Sequence, residues 1–167
     1  MLLFTNCNTK KDDTPAPTEI FSAANLVASW RLTAANTSLA GNVLVPDLFD
    51  VTNTNISSDP QALAFATFGK FSVLTFTNTG TFTEKSGLFN SPPTTVEANF
   101  ATVQGTYTAN TTTGLIVLNY TTTPLPAAVT TPRPFTVKSL NATTLVVTFD
   151  VVRPGVTVTN QFTYTRQ

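Results

Sequence analysis

The segment from Phe71 to Lys85 constrains the fold more than any other part of the sequence, because its residue types alternate. It reads FSVLTFTNTGTFTEK, in which apolar residues and threonines alternate on both sides of an Asn-Thr-Gly join. A period of two places Leu74 and Phe76 on one face of a strand and Thr75 on the other. Asparagine and glycine at the join allow a tight turn. The segment therefore predicts a β-hairpin.

The composition favours β-structure and argues against charged partners. Only 11% of the 167 residues are charged, less than half the usual quarter, and the nine basic residues balance the nine acidic ones. Such a chain has no net charge to attract nucleic acid, so we expect no nucleic-acid partner. Threonine and phenylalanine are abundant, and both are good β-formers. The length fits a single domain.

The alternating pattern recurs to the C-terminus and predicts about eight strands. They are residues 27–35, the two arms of the hairpin, and residues 102–109, 115–121, 136–140, 144–152 and 156–166. Most connections are short, which favours an antiparallel meander over parallel strands with crossover helices. Residues 37–57 and the proline-rich residues 124–134 are predicted to be longer connections.

One short helix is predicted just before the hairpin. Asp59 is a good N-cap, Pro60 suits the first helical position, and Gly69 suits the end of a helix. Ala62 and Phe65 would share its apolar face.

The N-terminal segment, residues 1–19, reads as a tether rather than as part of the fold. Its only cysteine, Cys7, follows a short apolar stub and precedes a polar, proline-containing stretch. This order resembles the start of a Bacteroidetes-type lipoprotein. The resemblance implies that Cys7 becomes a lipid-modified N-terminus, which anchors the protein to the outer membrane of the cell envelope, on its periplasmic or surface face. The alternative is a frayed N-terminus with an ordinary thiol.

Residues 20–167 resemble the lipocalin-like domains of bacterial lipoproteins in three short stretches. These are LVASWRL at residues 26–32, LTFTNTGTF at residues 74–82, and GTY at residues 105–107. The resemblance implies an all-β fold, an antiparallel up-and-down barrel with an apolar interior, in a cell-envelope protein. A β-sandwich is the alternative architecture.

Alternation within the strands predicts which side chains face the interior. Leu74, Leu115 and Leu145 are expected to point inward, and so are the candidate ligand-binding residues. These candidates are Phe76, Phe82, Tyr107, Val117, Val147, Phe149, Phe162 and Tyr164. Thr148, next to Val147, is expected to point outward, so that an aspartate would be tolerated there.

Trp30 and Arg166 are predicted to close one end of the barrel. In a meander with an even number of strands, the last strand pairs with the first, and its end lies beside the first strand's start. The lipocalin-like resemblance places a tryptophan like Trp30 at the closed end, covered by a basic side chain like Arg166.

The sequence offers no catalytic constellation. Histidine is absent, which removes the usual general base and the commonest metal ligand. The scattered carboxylates are interpreted as solvated surface charges, and they are Asp47, Asp50, Asp59, Glu84, Glu97 and Asp150. We therefore expect no enzyme, no metal and no cofactor. The expected function is binding of a small apolar molecule inside the barrel; the alternative is a structural or interaction domain whose barrel is filled by its own side chains.

Overall fold

The computed structural model describes residues 20–122, 132–153 and 156–167. Cys7 and the rest of the predicted tether lie outside the described residues, as does most of the predicted proline-rich connection. The described residues contain three α-helices, α1 (Ala23–Leu26), α2 (Thr54–Ser57) and α3 (Pro60–Phe68), and two short 3-10 helices, Gly87–Phe89 and Glu97–Asn99. Their strands are β1 (Ser29–Leu39), β2 (Asn42–Val45), β3 (Val73–Phe76), β4 (Thr81–Ser86), β5 (Ala101–Asn110), β6 (Leu115–Tyr120), β7 (Arg133–Leu140), β8 (Thr144–Arg153) and β9 (Val156–Arg166).

Eight of these strands form a closed antiparallel barrel. Strands β3 to β9 pair each with the next, β1 pairs with β3, and β1 also pairs with β9 along most of its length. Closure leaves no free edge between β1 and β9, so the predicted antiparallel barrel is confirmed and the alternative sandwich is wrong.

The ninth strand, β2, was not predicted and lies within the expected connection at residues 37–57. It forms a hairpin with the last residues of β1, where Leu39 pairs with Asn42. The turn consists of Ala40 and Gly41, which have φ angles of 48° and 84°. Two consecutive positive φ values are typical of the tightest hairpin turns, and alanine at the first position hides that signal. The same connection also contains α2.

The central hairpin and the helix before it are confirmed. Phe76 pairs with Phe82 across β3 and β4, and Gly80 has a φ of 78°, which glycine adopts readily. Helix α3 begins where it was predicted to begin, because Asp59 Oδ1 accepts hydrogen bonds from the backbone of Gln61 and Ala62 at 2.9 and 3.2 Å.

The barrel has two different ends. We call the end where β1 begins and β9 finishes the closed end, and α1 lies next to it in the chain. Strand β3 runs antiparallel to β1, with Val73 opposite Arg31, and therefore points toward the closed end. We call the other end of the barrel, where β1 finishes, the open end.

Most predicted interior positions are correct, but the phase of β6 is wrong. Leu74, Phe76, Phe82, Leu145, Val147, Phe162 and Tyr164 are buried, while Tyr107 and Phe149 are half-buried. In β6, however, Leu115 is 38% exposed and Val117 lies on the same outward face, whereas Ile116, Leu118 and Tyr120 are buried. The first four residues of β6 are all apolar, so only the polar Asn119 marks its outward face.

Thr148 is a second correction. It was expected to be exposed, yet it is only 8% exposed and lies between its cross-strand neighbours Thr136 and Gln161. Both faces of β8 are therefore covered at this point, and an aspartate at Thr148 should not be silent.

Candidate functional site

The closed end of the barrel is sealed around Trp30. The indole is fully buried, and its Nε1 donates a hydrogen bond to the carbonyl oxygen of Leu26, at the end of α1, at 2.9 Å. Trp30 pairs with Leu74 on one side and with Arg166 on the other. The guanidinium carbon of Arg166 lies 5.9 Å from the centroid of the indole ring, so the expected contact between the two side chains is present.

Aromatic side chains pack in pairs inside the barrel, near β3 and β4. Phe76 meets Tyr107 edge to face at 4.8 Å between ring centroids, and Phe82 meets Tyr120 at 5.0 Å. Gly105 pairs with both Phe82 and Tyr120, and a Cβ atom there would lie 2.0 Å from the carbonyl oxygen of Asn119 and 2.8 Å from the Phe82 ring. Glycine is needed at this position because any side chain would collide with the backbone of β6 and with the Phe82 ring.

The open half of the barrel contains two cavities. A cavity of about 420 Å³ lies between the open ends of the strands and the segments β2, α2 and α3. Its apolar lining includes Val45, Leu48, Ile56, Ala62, Val151 and Val158. A second cavity, of about 320 Å³, is lined by the buried Leu32 and Tyr164 and extends to the exposed Val152. We call it the deeper cavity because it reaches these two interior residues.

The two cavities adjoin each other at a group of shared side chains. Gln61, Phe65, Phe149, Val151 and Phe162 line both. Phe65 of α3 stacks on Phe162 of β9 at 5.2 Å, so the helix places an aromatic ring over the open end of the barrel. A molecule in either cavity would therefore contact the same aromatic group.

The deeper cavity also contains a buried ion pair, which the sequence analysis missed. Arg133 Nη2 donates to both carboxylate oxygens of Glu84, at 3.2 and 3.3 Å, and the side chains are only 12% and 9% exposed. The hydroxyl of Tyr120 donates a short hydrogen bond to Glu84 Oε2. The interior is thus not wholly apolar, and the interpretation of Glu84 as a solvated surface charge is wrong.

A signal for this pair was present in the sequence. Phe82 was correctly predicted to point inward, and a period of two from Phe82 places Glu84 on the same face. Likewise, Arg133 is two residues before the buried Phe135. Arg133 was assigned to the proline-rich connection, whereas β7 begins at that residue.

Aromatic rings hold the guanidinium of Arg133 in place. Its central carbon lies 4.7 Å from the centroid of Phe135 and 5.5 Å from that of Tyr120. Burial lowers the pKa of Arg133, but the carboxylate of Glu84 and the phenols of Tyr120 and Tyr164 together outweigh burial, so the net shift is upward. Burial, and then the charge of Glu84, raise the pKa of Tyr120 far above its ordinary value, and burial also raises the pKa of Tyr164. At neutral pH both phenols are protonated, and Arg133 keeps its charge.

The predicted ligand-binding residues divide into three groups. Phe149, Phe162 and Tyr164 border the cavities. Phe76, Phe82, Tyr107 and Val147 line neither of these cavities, and Val117 lies on the outward face of β6.

The described part of the chain shows no group of three or more potential ligand residues that could hold a metal ion. Among its helices, none is long and apolar enough to cross a membrane.

No protein-family model and no curated protein sequence matches the chain. Two solved structures are similar in outline. One is a DUF4847 family protein from Bacteroides vulgatus, which is 14% identical with a TM-score of 0.46, over 85% of this chain and 95% of that one. The other is a bovine odorant-binding protein in complex with its natural ligand, which is 15% identical with a TM-score of 0.46, over 88% of this chain and 74% of that one. Both identities and both TM-scores are low, and the barrel is defined by the pairing of its own strands.

Proposed function

We propose that this protein is a non-enzymatic binding domain of the cell envelope that holds a small apolar molecule in the open half of its barrel. The observation that supports this proposal is the pair of adjoining cavities, with volumes of about 420 and 320 Å³. Ligand pockets in proteins range from about 300 to 1,000 Å³ and are lined mostly by apolar and aromatic side chains. An eight-stranded barrel is just wide enough to hold one small ligand, as lipocalins do.

The lining of the cavities favours an apolar body for the ligand. Phe162 contacts the rings of both Phe65 and Phe149, and Val151 and Leu32 add aliphatic surface. Transfer of apolar surface from water to such a lining stabilises a complex by about 25 cal/mol per Å² of area removed from water. The alternative is a structural domain whose barrel is filled by its own side chains. The cavities in the open half favour ligand binding over this alternative.

The cell-envelope location rests on the sequence around Cys7. Ile20, the first described residue, donates its backbone N–H to the carbonyl oxygen of Thr111 at 2.7 Å. Thr111 follows β5 in the turn to β6, which lies at the closed end, so a lipid anchor at Cys7 would attach to that end. The open end with its cavities would then be free to face away from the membrane.

Fluorescence titration with the neutral apolar dye N-phenylnaphthylamine tests the binding proposal. We expect saturable binding by the wild type and its loss in Val151→Trp, because Val151 lines both cavities and an indole there would obstruct the place where they adjoin. Val96→Trp is the matched control, since Val96 is 54% exposed and lines neither cavity. Absence of saturable binding in the wild type would favour the structural alternative. Equal binding by both variants would place the dye on the outer surface and contradict the proposal.

A further inference from the structure

The guanidinium of Arg133 has more hydrogen-bond donors than its surroundings use. Arginine carries five N–H donors. Within the described residues, the Arg133 side chain donates hydrogen bonds from Nη2 alone, and both go to Glu84. Its Nε is buried and has no hydrogen-bond partner among the described residues. Buried donors in folded proteins almost always find a partner, and an exception indicates an additional group such as a ligand.

The position of this guanidinium suits recognition of a ligand. Arg133 borders the deeper cavity together with Leu32, Phe149 and Phe162. The rings of Phe135 and Tyr120 and the carboxylate of Glu84 hold the guanidinium in place. Because these contacts limit its movement, little conformational entropy would be lost when a ligand accepts a hydrogen bond from it.

The charges around Arg133 decide what kind of acceptor the ligand can carry. Glu84 already balances the charge of Arg133 within a lumen where both side chains are nearly buried. An anionic ligand group would add a second negative charge close to Glu84, with little water to solvate it, which is costly. A carbonyl oxygen accepts the same hydrogen bonds without that cost.

We propose that the ligand is amphipathic and neutral, with an apolar body against Phe149 and Phe162 and a carbonyl oxygen that accepts a hydrogen bond from Arg133. This inference rests on the proposed function and names the class of ligand. The barrel would thereby distinguish a ketone, aldehyde or ester from a hydrocarbon of the same shape.

Isothermal titration calorimetry with three matched compounds tests the inference on the full-length protein. The compounds are acetylnaphthalene, ethylnaphthalene and naphthoate, substituted at the same ring position. A hydrogen bond to a charged donor predicts that acetylnaphthalene binds about tenfold to a hundredfold more tightly than ethylnaphthalene. Naphthoate should bind more weakly than acetylnaphthalene.

A double variant, Glu84→Gln with Arg133→Met, removes both charges together and so avoids leaving one of them buried alone. In this variant the preference for the ketone over the hydrocarbon should fall to about one. If the variant fails to fold, the wild type still decides the question by NMR. The side-chain Nε–H resonance of Arg133 should shift with acetylnaphthalene and stay in place with ethylnaphthalene.

Three results would overturn the inference, and they are distinguishable. Equal affinities of wild type for acetylnaphthalene and ethylnaphthalene would mean that Arg133 makes no contact with the ligand, and the proposed function would stand. Tightest binding of naphthoate would mean that the site selects an anion. No binding of any compound would contradict the proposed function as well.

Discussion

Arg166 lies over the indole of Trp30 at the closed end of the barrel, and the two residues are directly paired between β9 and β1. The two side chains differ greatly in exposure, because Trp30 is fully buried and Arg166 is exposed. Losing a buried tryptophan costs about 3–5 kcal/mol, whereas an exposed cation–π contact contributes about 0.5–1 kcal/mol. Trp30→Ala should therefore lower the free energy of unfolding far more than Arg166→Ala does, as measured by urea denaturation. Similar losses in the two variants would mean that Trp30 does not seal the barrel.

The register of β6 predicts opposite outcomes for the same substitution at two leucines. Leu118 is fully buried, while Leu115 is 38% exposed on the other face. Leu118→Ala should cost about 2–5 kcal/mol of unfolding free energy, because it leaves a cavity in the core. Leu115→Ala should cost well under that, since surface substitutions are usually within about 0.5 kcal/mol. A larger loss of unfolding free energy in Leu115→Ala than in Leu118→Ala would mean that Leu115 faces the interior, as the sequence alone indicated.

The two ion pairs of the described chain should differ in their contribution to stability. Arg133→Met would leave the nearly buried carboxylate of Glu84 without its cation, which costs about 3–5 kcal/mol. Arg31→Met removes the pair with Glu97, whose side chains are 31% and 43% exposed, and exposed pairs contribute about 0–1 kcal/mol. Urea denaturation of both variants measures the difference directly. Equal losses would show that Glu84 and Arg133 are better solvated than their burial indicates.

The proposed lipid anchor predicts the mass of the native protein. Protein purified from its own cells should begin at Cys7 and carry the added mass of acyl chains, as determined by mass spectrometry of the N-terminal peptide. A Cys7→Ser variant expressed in the same cells should lack that mass and leave the membrane fraction. Native protein that retains Met1 would contradict the anchor and the envelope location together.

Local patterns in the sequence predicted much of the barrel, because each of them depends on neighbouring residues. The alternation around Leu74 and Phe76 fixed the phase of the central hairpin, and Asp59 fixed the start of α3. By contrast, β2 follows a turn that begins with Ala40, and alanine rarely adopts a positive φ. The local sequence therefore did not predict this turn or the strand after it. The four apolar residues that begin β6 gave no phase, which is why Leu115 and Val117 were assigned to the wrong face.

The candidate site was harder to predict, because its parts come from distant strands. Glu84 of β4, Tyr120 of β6 and Arg133 of β7 meet only through the closure of the barrel. Glutamate and arginine, taken one at a time, are residue types that usually lie on the protein surface. Strict use of the two-residue period from Phe82 and Phe135 would have placed Glu84 and Arg133 inside. The cavities depend on how α3 lies across the open end, which no strand pattern specifies.

The most direct test of ligand binding in the open half is an NMR titration of the methyl groups with acetylnaphthalene. Methyl resonances of Leu32 and Val151, which border the cavities, should shift in a saturable manner. Those of Ile116 and Leu145, which are buried but line neither of the two cavities, should stay nearly constant and serve as the internal control. Saturable shifts confined to exposed side chains such as Val43 and Val96, with Leu32 and Val151 unchanged, would contradict a ligand site inside the barrel.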